Sequence, residues 1–144
     1  MDKFNLNPIM MTEGEMTLDG VVISDNVKCE IKFTPDVWTG KTLGERTPSS
    51  RWKGCTITVS VTRRRTTPWA KDIVKKYLST GATPEMTIQG IMTGKGSDYY
   101  NQYGTDTVTA VGCVPTGDII LLGLDADGAE LNDTITFNAK NVIF

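Results

Sequence analysis

The sequence has no histidine among its 144 residues, so it lacks the commonest general base and the commonest metal ligand of proteins. It has three cysteines, Cys29, Cys55 and Cys113, and no two of them form a CxxC pair. This odd number predicts reduced thiols in a protein made in a cytoplasm. All three lie in runs that alternate apolar and polar residues, where a free cysteine is expected to act as a small core residue.

Long apolar runs and an export signal are also missing. No run approaches about 18 apolar residues, so no membrane span is predicted. The first residues lack a basic segment followed by an apolar one, so no secretory signal is expected.

Recognisable motifs of chemistry are absent too. GKT at 40–42 and GIMTGKGS at 90–97 have the wrong spacing for a phosphate-binding loop, and neither precedes a helix. DADGAELND at 125–133 places its glycine too early for an EF-hand and is interpreted as an acidic turn. The triplet RRR at 63–65 is interpreted as a solvated junction. We therefore predict no catalytic residues, no cofactor and no metal, which disfavours an enzyme.

Charge is unevenly distributed, although the net charge is only -2. Residues 1–80 carry 13 Lys and Arg against 9 Asp and Glu, whereas residues 81–144 carry 2 against 8. Such asymmetry is typical of a surface that meets a charged partner, and it also arises from chance placement of solvated side chains.

What the sequence has in abundance is strand patterning. The segment GEMTLDGVVISD has two short apolar runs around Asp19-Gly20, which predicts a hairpin with a two-residue turn. NVKCEIKFTPD and GCTITVSVTRRR place apolar residues at every second position, as strands with one buried face do. The apolar positions are Val27, Cys29, Ile31, Phe33, Cys55, Ile57, Val59 and Val61. The polar positions on the other face include Lys28, Glu30, Lys32, Thr56, Thr58, Ser60 and Thr62.

One helix is predicted in TTPWAKDIVKKYLSTG, with Thr67 as N-cap, Pro68 at the first helical position and Gly81 at the end. Four further strand candidates follow it, and GKGSDYYNQYG is expected to be a polar loop. The prediction is a mainly β fold, an antiparallel β-sandwich or partly closed barrel with one flanking helix. The whole chain, 1–144, is expected to form one domain, with residues 1–13 as an irregular arm.

A nineteen-residue connection, 35–53, is predicted between the two alternating strands. Hairpin loops usually have about two to five residues, so a longer one is typically functional. Its basic and aromatic residues are candidates for contacts between subunits: Trp38, Lys41, Arg46, Arg51, Trp52 and Lys53. The acidic residues of 115–133 are candidates for their partners in head-to-tail stacking: Asp118, Asp125, Asp127, Glu130 and Asp133.

The uninterrupted polar face of the two strands has two interpretations. One is that identical copies pair their long strands around a ring, so that no edge remains open and the polar face lines a wet channel. The other is an ordinary sandwich with its polar face in solvent.

The order of these elements resembles the tail tube proteins of contractile-tailed phages and of phage-tail-like bacteriocins, particularly those of Gram-positive bacteria. The resemblance covers about residues 14–140: the LDG hairpin, the alternating strand, the long Gly/Arg-containing connection, the Thr-rich strand, the helix-to-strand segment VKKYLSTGATPEMTIQG, and the acidic C-terminal part. It implies a hexameric ring whose long strands form a continuous inner β-barrel. It makes the seven polar positions named above candidates for facing the lumen.

The resemblance also implies partners and a location. The chain would assemble with itself, with a tail sheath protein, and with baseplate and tail terminator proteins, in a virion or phage-tail-like particle without membrane anchoring. Driven through an envelope by sheath contraction, the tube would conduct DNA, as transported cargo, or ions. Two alternatives stay open: the tube protein of a related contractile secretion system, and a small nucleic-acid-binding β-barrel.

Overall fold

Eight strands and two helices form the part of the chain described by this computed structural model, residues 14–128 and 131–144. The strands are β1 Gly14–Leu18, β2 Val21–Ile23, β3 Asn26–Gly40, β4 Ser49–Arg64, β5 Met86–Met92, β6 Asp106–Thr116, β7 Asn132–Ala139 and β8 Asn141–Ile143. The helices are α1 Trp69–Thr80 and α2 Asp98–Tyr103. The mainly β, antiparallel class predicted from the sequence is confirmed, while the predicted arm at 1–13 lies outside the described residues.

The strands form two sheets that share β6. Their order is β2-β1-β5-β6-β7-β4-β3, with β8 also paired to β6. We call β2-β1-β5-β6, with β8, sheet A, and we call β6-β7-β4-β3 sheet B. Residues 106–113 of β6 pair with β5, and residues 114–116 pair with β7. Gly112 lies just before this change of partner with φ 69°, a backbone conformation that glycine adopts without a steric cost.

The core lies between the inner faces of the two sheets. Met16 and Ile88 of sheet A and Val59, Val61 and Phe137 of sheet B are fully buried in one cluster. The period-two pattern of β4 produces this arrangement, because Ile57, Val59 and Val61 all point inward. The hairpin predicted at Asp19-Gly20 is also present, with φ values of 51° and 84° at its two turn residues.

Helix α1 closes one side of the core with its first turn. Trp69 and Ala70 are buried, and Ile73 packs against the core, whereas Tyr77 and Leu78 are exposed. Pro68 occupies the N-cap, one residue later than the predicted Thr67, and Gly81 ends the helix with φ 72° as predicted. Neither described helix has the length and apolar character needed to cross a membrane.

The predicted loop at 35–53 is mostly strand, which corrects the sequence interpretation. Only residues 41–48 connect β3 to β4. After a register shift between Asp36 and Val37, pairing continues until Gly40 lies opposite Ser49. Turn-type residues such as Pro35 made the segment look irregular, but cross-strand pairing holds it extended. We call residues 35–53 the hairpin extension.

Three smaller predictions are also corrected. GKGSDYYNQYG contains helix α2, whose first turn is capped where the Ser97 hydroxyl accepts a hydrogen bond from the Tyr100 N–H at 3.1 Å. Cys55 is exposed, whereas Cys113 is buried and Cys29 is partly buried. The arginine triplet is not a solvated junction, because Arg63 is buried against Asp25 and Arg65 pairs with the buried Asp133.

Candidate assembly surface

The outer side of sheet B is polar across three adjacent strands. On β3 and β4, Lys28 lies opposite Thr62, Glu30 opposite Ser60, Lys32 opposite Thr58 and Thr34 opposite Thr56. β7 continues these rows with Thr134, Thr136 and Asn138. We call these eleven positions the polar face.

The seven sequence-predicted lumen candidates therefore lie together on one face. On β4 these candidates alternate with Ile57, Val59 and Val61, which point into the core, so the candidates point to the opposite, outer side. The polar residues of β7 were not among the predicted lumen candidates, although the alternation in NDTITFNA indicates a strand with one polar face. Hydroxyl groups link neighbouring strands, as where the Thr62 and Thr134 hydroxyls lie 3.0 Å apart.

The charged side chains of the polar face interact along β3. The Lys32 ammonium lies 2.8 Å from the Glu30 carboxylate. This hydrogen bond lowers the pKa of Glu30 and raises the pKa of Lys32, and the charge of Lys28 lowers the pKa of Glu30 further. Glu30 and Lys32 are therefore both charged at neutral pH.

Sheet B has two edges that no described strand covers. β3 is the last strand in the sheet order, and its fifteen residues pair with β4 on one side only. At the opposite end, residues 114–116 of β6 pair with β7, while the pairing with β5 stops at Cys113. Open edges expose rows of backbone N–H and C=O groups that readily pair with another chain.

The hairpin extension carries an exposed apolar side. Val37 and Trp52 lie on the side that continues the core face of sheet B, and they are 45% and 65% exposed. Phe33, just before the extension, lies on the same side and is 47% exposed. The Phe33 and Trp52 rings stack with centroids 5.6 Å apart. This strip has the composition of a core but lacks a described element that covers it.

The predicted contact residues of the hairpin extension are all exposed. Trp38 lies opposite Arg51 on the other side of the hairpin, with its ring over Gly40, where a Cβ would come within 2.6 Å of the indole. Lys41 and Arg46 belong to the connection 41–48. The Lys53 ammonium lies 3.9 Å from the Asp36 carboxylate.

The predicted acidic partners divide into three groups. Asp118, Asp125 and Asp127 are exposed in the segment 117–128, as stacking would require. Asp133 is 2% exposed, and its carboxylate is 2.6 Å from the Arg65 guanidinium, so it is not available for stacking and this prediction is corrected. Glu130 lies outside the described residues.

The fold resembles chains of solved contractile injection systems. One belongs to the cryo-EM structure of the sheath/tube terminator of an extracellular contractile injection system, PVC, in its extended state. It has TM-score 0.69 and 14% sequence identity, and the match covers 94% of this chain and 95% of that chain. A chain of the PVC sheath-tube complex in the extended state has TM-score 0.68 and 12% identity, over 94% of this chain and 90% of that chain. A chain of the anti-feeding prophage baseplate has TM-score 0.61 and 12% identity, over 90% of this chain and 89% of that chain.

Sequence comparisons add nothing to this structural likeness. The comparison with protein-family models finds no match, and the comparison with curated proteins finds none. The three structural likenesses establish that the chain has the same fold as these injection-system proteins.

Proposed function

We propose that this chain is a structural subunit of the inner tube of a contractile tail, in a phage or a phage-tail-like particle. Identical copies form a hexameric ring, and rings stack into a hollow tube. A sheath protein surrounds the tube and drives it through an envelope when the sheath contracts. The chain catalyses nothing in this role, because its task is to assemble and to stay rigid.

The observation that carries the proposal is the pair of open edges on sheet B. Its four strands β3, β4, β7 and β6 are each antiparallel to the next. Because the number is even, pairing β3 of one copy with the 114–116 end of β6 in the next copy keeps the alternation antiparallel. Repeated around a ring, this pairing joins the sheets B of neighbouring copies into one closed sheet over the length of the 114–116 segment. Because the other face of sheet B packs on the core, the polar face then lines the bore.

Stacking of rings involves the hairpin extension. Its exposed apolar strip must be covered in a stable assembly, and the facing ring supplies that cover. The connection 41–48 brings Lys41 and Arg46 toward the acidic segment 117–128 of the facing ring, which gives the contact its charge complementarity.

The partners follow from the same proposal. The solved structures that share this fold are described as a sheath/tube terminator, a sheath-tube complex and a baseplate. We accordingly assign this chain a sheath, a baseplate and a terminator as partners, besides further copies of itself. The particle belongs to a phage or to a related injection system.

Electron microscopy of the purified protein tests the proposal directly. We expect rings or hollow tubes whose number rises with protein concentration. The matched variant replaces residues 37–53 by Asn-Gly, because Asp36 and Gly54 face each other across the hairpin and a two-residue turn can join them. This variant should keep a mainly β circular dichroism spectrum and a cooperative thermal transition, and it should form no stacked tubes. A wild-type protein that stays monomeric at every concentration would disprove the proposal.

A further inference from the structure

The polar face has a positive charge balance, although the chain as a whole has a net charge of -2. Lys28 and Lys32 of β3 lie on this face. Glu30 is the acidic residue among the eleven positions. Two cations against one anion leave one positive charge per copy.

The rest of the face does not offset this charge. The positions contributed by β4 and β7 are threonine, serine and asparagine, which are neutral. Asp36, two residues beyond Thr34 on the same side of β3, lies 3.9 Å from the Lys53 ammonium, so it is offset locally. The exposed acids Asp118, Asp125 and Asp127 belong to the segment 117–128, which is not part of the face. The Lys32 side chain is 68% exposed, so its ammonium reaches the solvent over the sheet even while it contacts Glu30.

Ring formation multiplies this local charge. Each copy brings the same face to the same side, so the positive charges surround one aqueous passage. A passage walled by protein focuses the field of its lining charges and raises the concentration of ions of opposite sign. The hydroxyl and amide groups of the face add neutral hydrogen-bond donors that suit anions.

We infer that the bore is selective for small inorganic anions such as chloride and phosphate over cations, an inference that rests on the proposed tube. The tube then acts as an anion-conducting passage once it has crossed an envelope. Lys28 and Lys32 set the sign of the selectivity, and Glu30 moderates it by its contact with Lys32.

Collisional quenching measures the sign of the potential at this face. A small fluorophore is attached to T58C in a C55S background, because Thr58 lies on the polar face opposite Lys32 and Cys55 is exposed. Assembled tubes are then titrated with iodide and with caesium. We expect the quenching constant for iodide to exceed that for caesium by about threefold at low salt and to approach it at high salt. A label at T134C provides a second position if the first prevents assembly.

Charge reversals on two surfaces separate the possible outcomes. K28E/K32E should invert the preference to caesium, whereas K71E/K75E, on the exposed side of α1, should leave it unchanged. Equal quenching of wild-type tubes by both ions would overturn the inference, and so would a change of the iodide preference in K71E/K75E. Either result would leave the proposed tube unaffected. If the wild-type protein forms no tubes, the proposed function fails and the inference fails with it.

Discussion

At the scale of single residues, two arginines hold the junction between β4 and α1. Arg63 donates hydrogen bonds of 2.8 and 3.2 Å to the Asp25 carboxylate, and its guanidinium lies 4.6 Å from the centre of the Trp69 ring. Arg65 donates to Asp133 and to the carbonyls of Ile120 and Leu121 at 2.7 and 3.0 Å. These contacts tie the acidic segment to the sheet, so the basic triplet is a structural feature of the subunit.

Removing the carboxylate of Asp25 should destabilise the free subunit by about 3 kcal/mol at pH 7, because the buried Arg63 then has no partner charge. The hydrogen bond from Arg63 lowers the pKa of Asp25 below its ordinary value of 3.8, so the unfolded chain binds the proton more tightly than the folded one. The contribution of Asp25 is therefore complete above pH 3.8 and is lost as the pH falls through the folded pKa.

Urea denaturation of wild type, D25N and D118N at pH 7 and at acidic pH checks this prediction. D118N changes an exposed acid and should leave the free energy of unfolding at pH 7 within about 0.5 kcal/mol of wild type. The difference between wild type and D25N should shrink below pH 3.8. A difference that stays constant over this range would contradict the role given to Asp25.

At the scale of elements, local patterns predicted the strands well but missed the length of one hairpin. Alternation from Val27 to Phe33 and from Cys55 to Val61 identified both strands and their two faces. On the apolar face, however, Val27, Phe33 and Cys55 are exposed, and only the part from Ile57 to Val61 is buried in the core. The hairpin extension escaped detection because it combines proline, glycine and charged residues with a bulge, and pairing across the hairpin overrides those signals. Helix α2 escaped because six residues are too few to show helical periodicity.

The apolar side of the hairpin extension predicts a pattern of cysteine reactivity. Cys55 lies opposite Pro35 on this side and is exposed. Burial raises the pKa of both Cys29 and Cys113 to about 11, so these thiols stay protonated and unreactive at pH 8. In the free subunit, maleimide should therefore modify Cys55 alone. In the proposed tubes a neighbouring copy would cover this side, so we expect modification to slow by about tenfold or more on assembly.

Mass spectrometry of tryptic peptides after timed labelling gives the three rates separately. Denatured protein, in which all three cysteines react, is the control for completeness. Equal rates for Cys55 in subunits and in tubes would show that the apolar side of the hairpin extension is not covered on assembly.

At the scale of the whole molecule, the strand order and the open sheet edges were known only from the structure. The sequence predicted the polar face of β3 and β4, but not that β3 ends the sheet or that β6 changes partner between Cys113 and Val114. Strand order depends on pairings between distant residues, which local periodicity does not encode. The burial of Asp133 has the same origin, because its partner Arg65 lies 68 residues away in the chain.

Electrostatic stacking of whole rings gives the last prediction. R46E/R51E reverses two exposed charges of the hairpin extension and should shorten tubes severalfold at low salt, with a weaker effect at high salt, where exposed charges are screened. D125K/D127K in the same chain should restore tube length, because the two surfaces again carry opposite charges. K71E/K75E makes the same change in net charge on α1 and serves as the control. Tube lengths are measured by negative-stain microscopy across a salt series. If K71E/K75E shortens tubes as much as R46E/R51E does, tube length depends on net charge alone, and docking between these two segments is refuted.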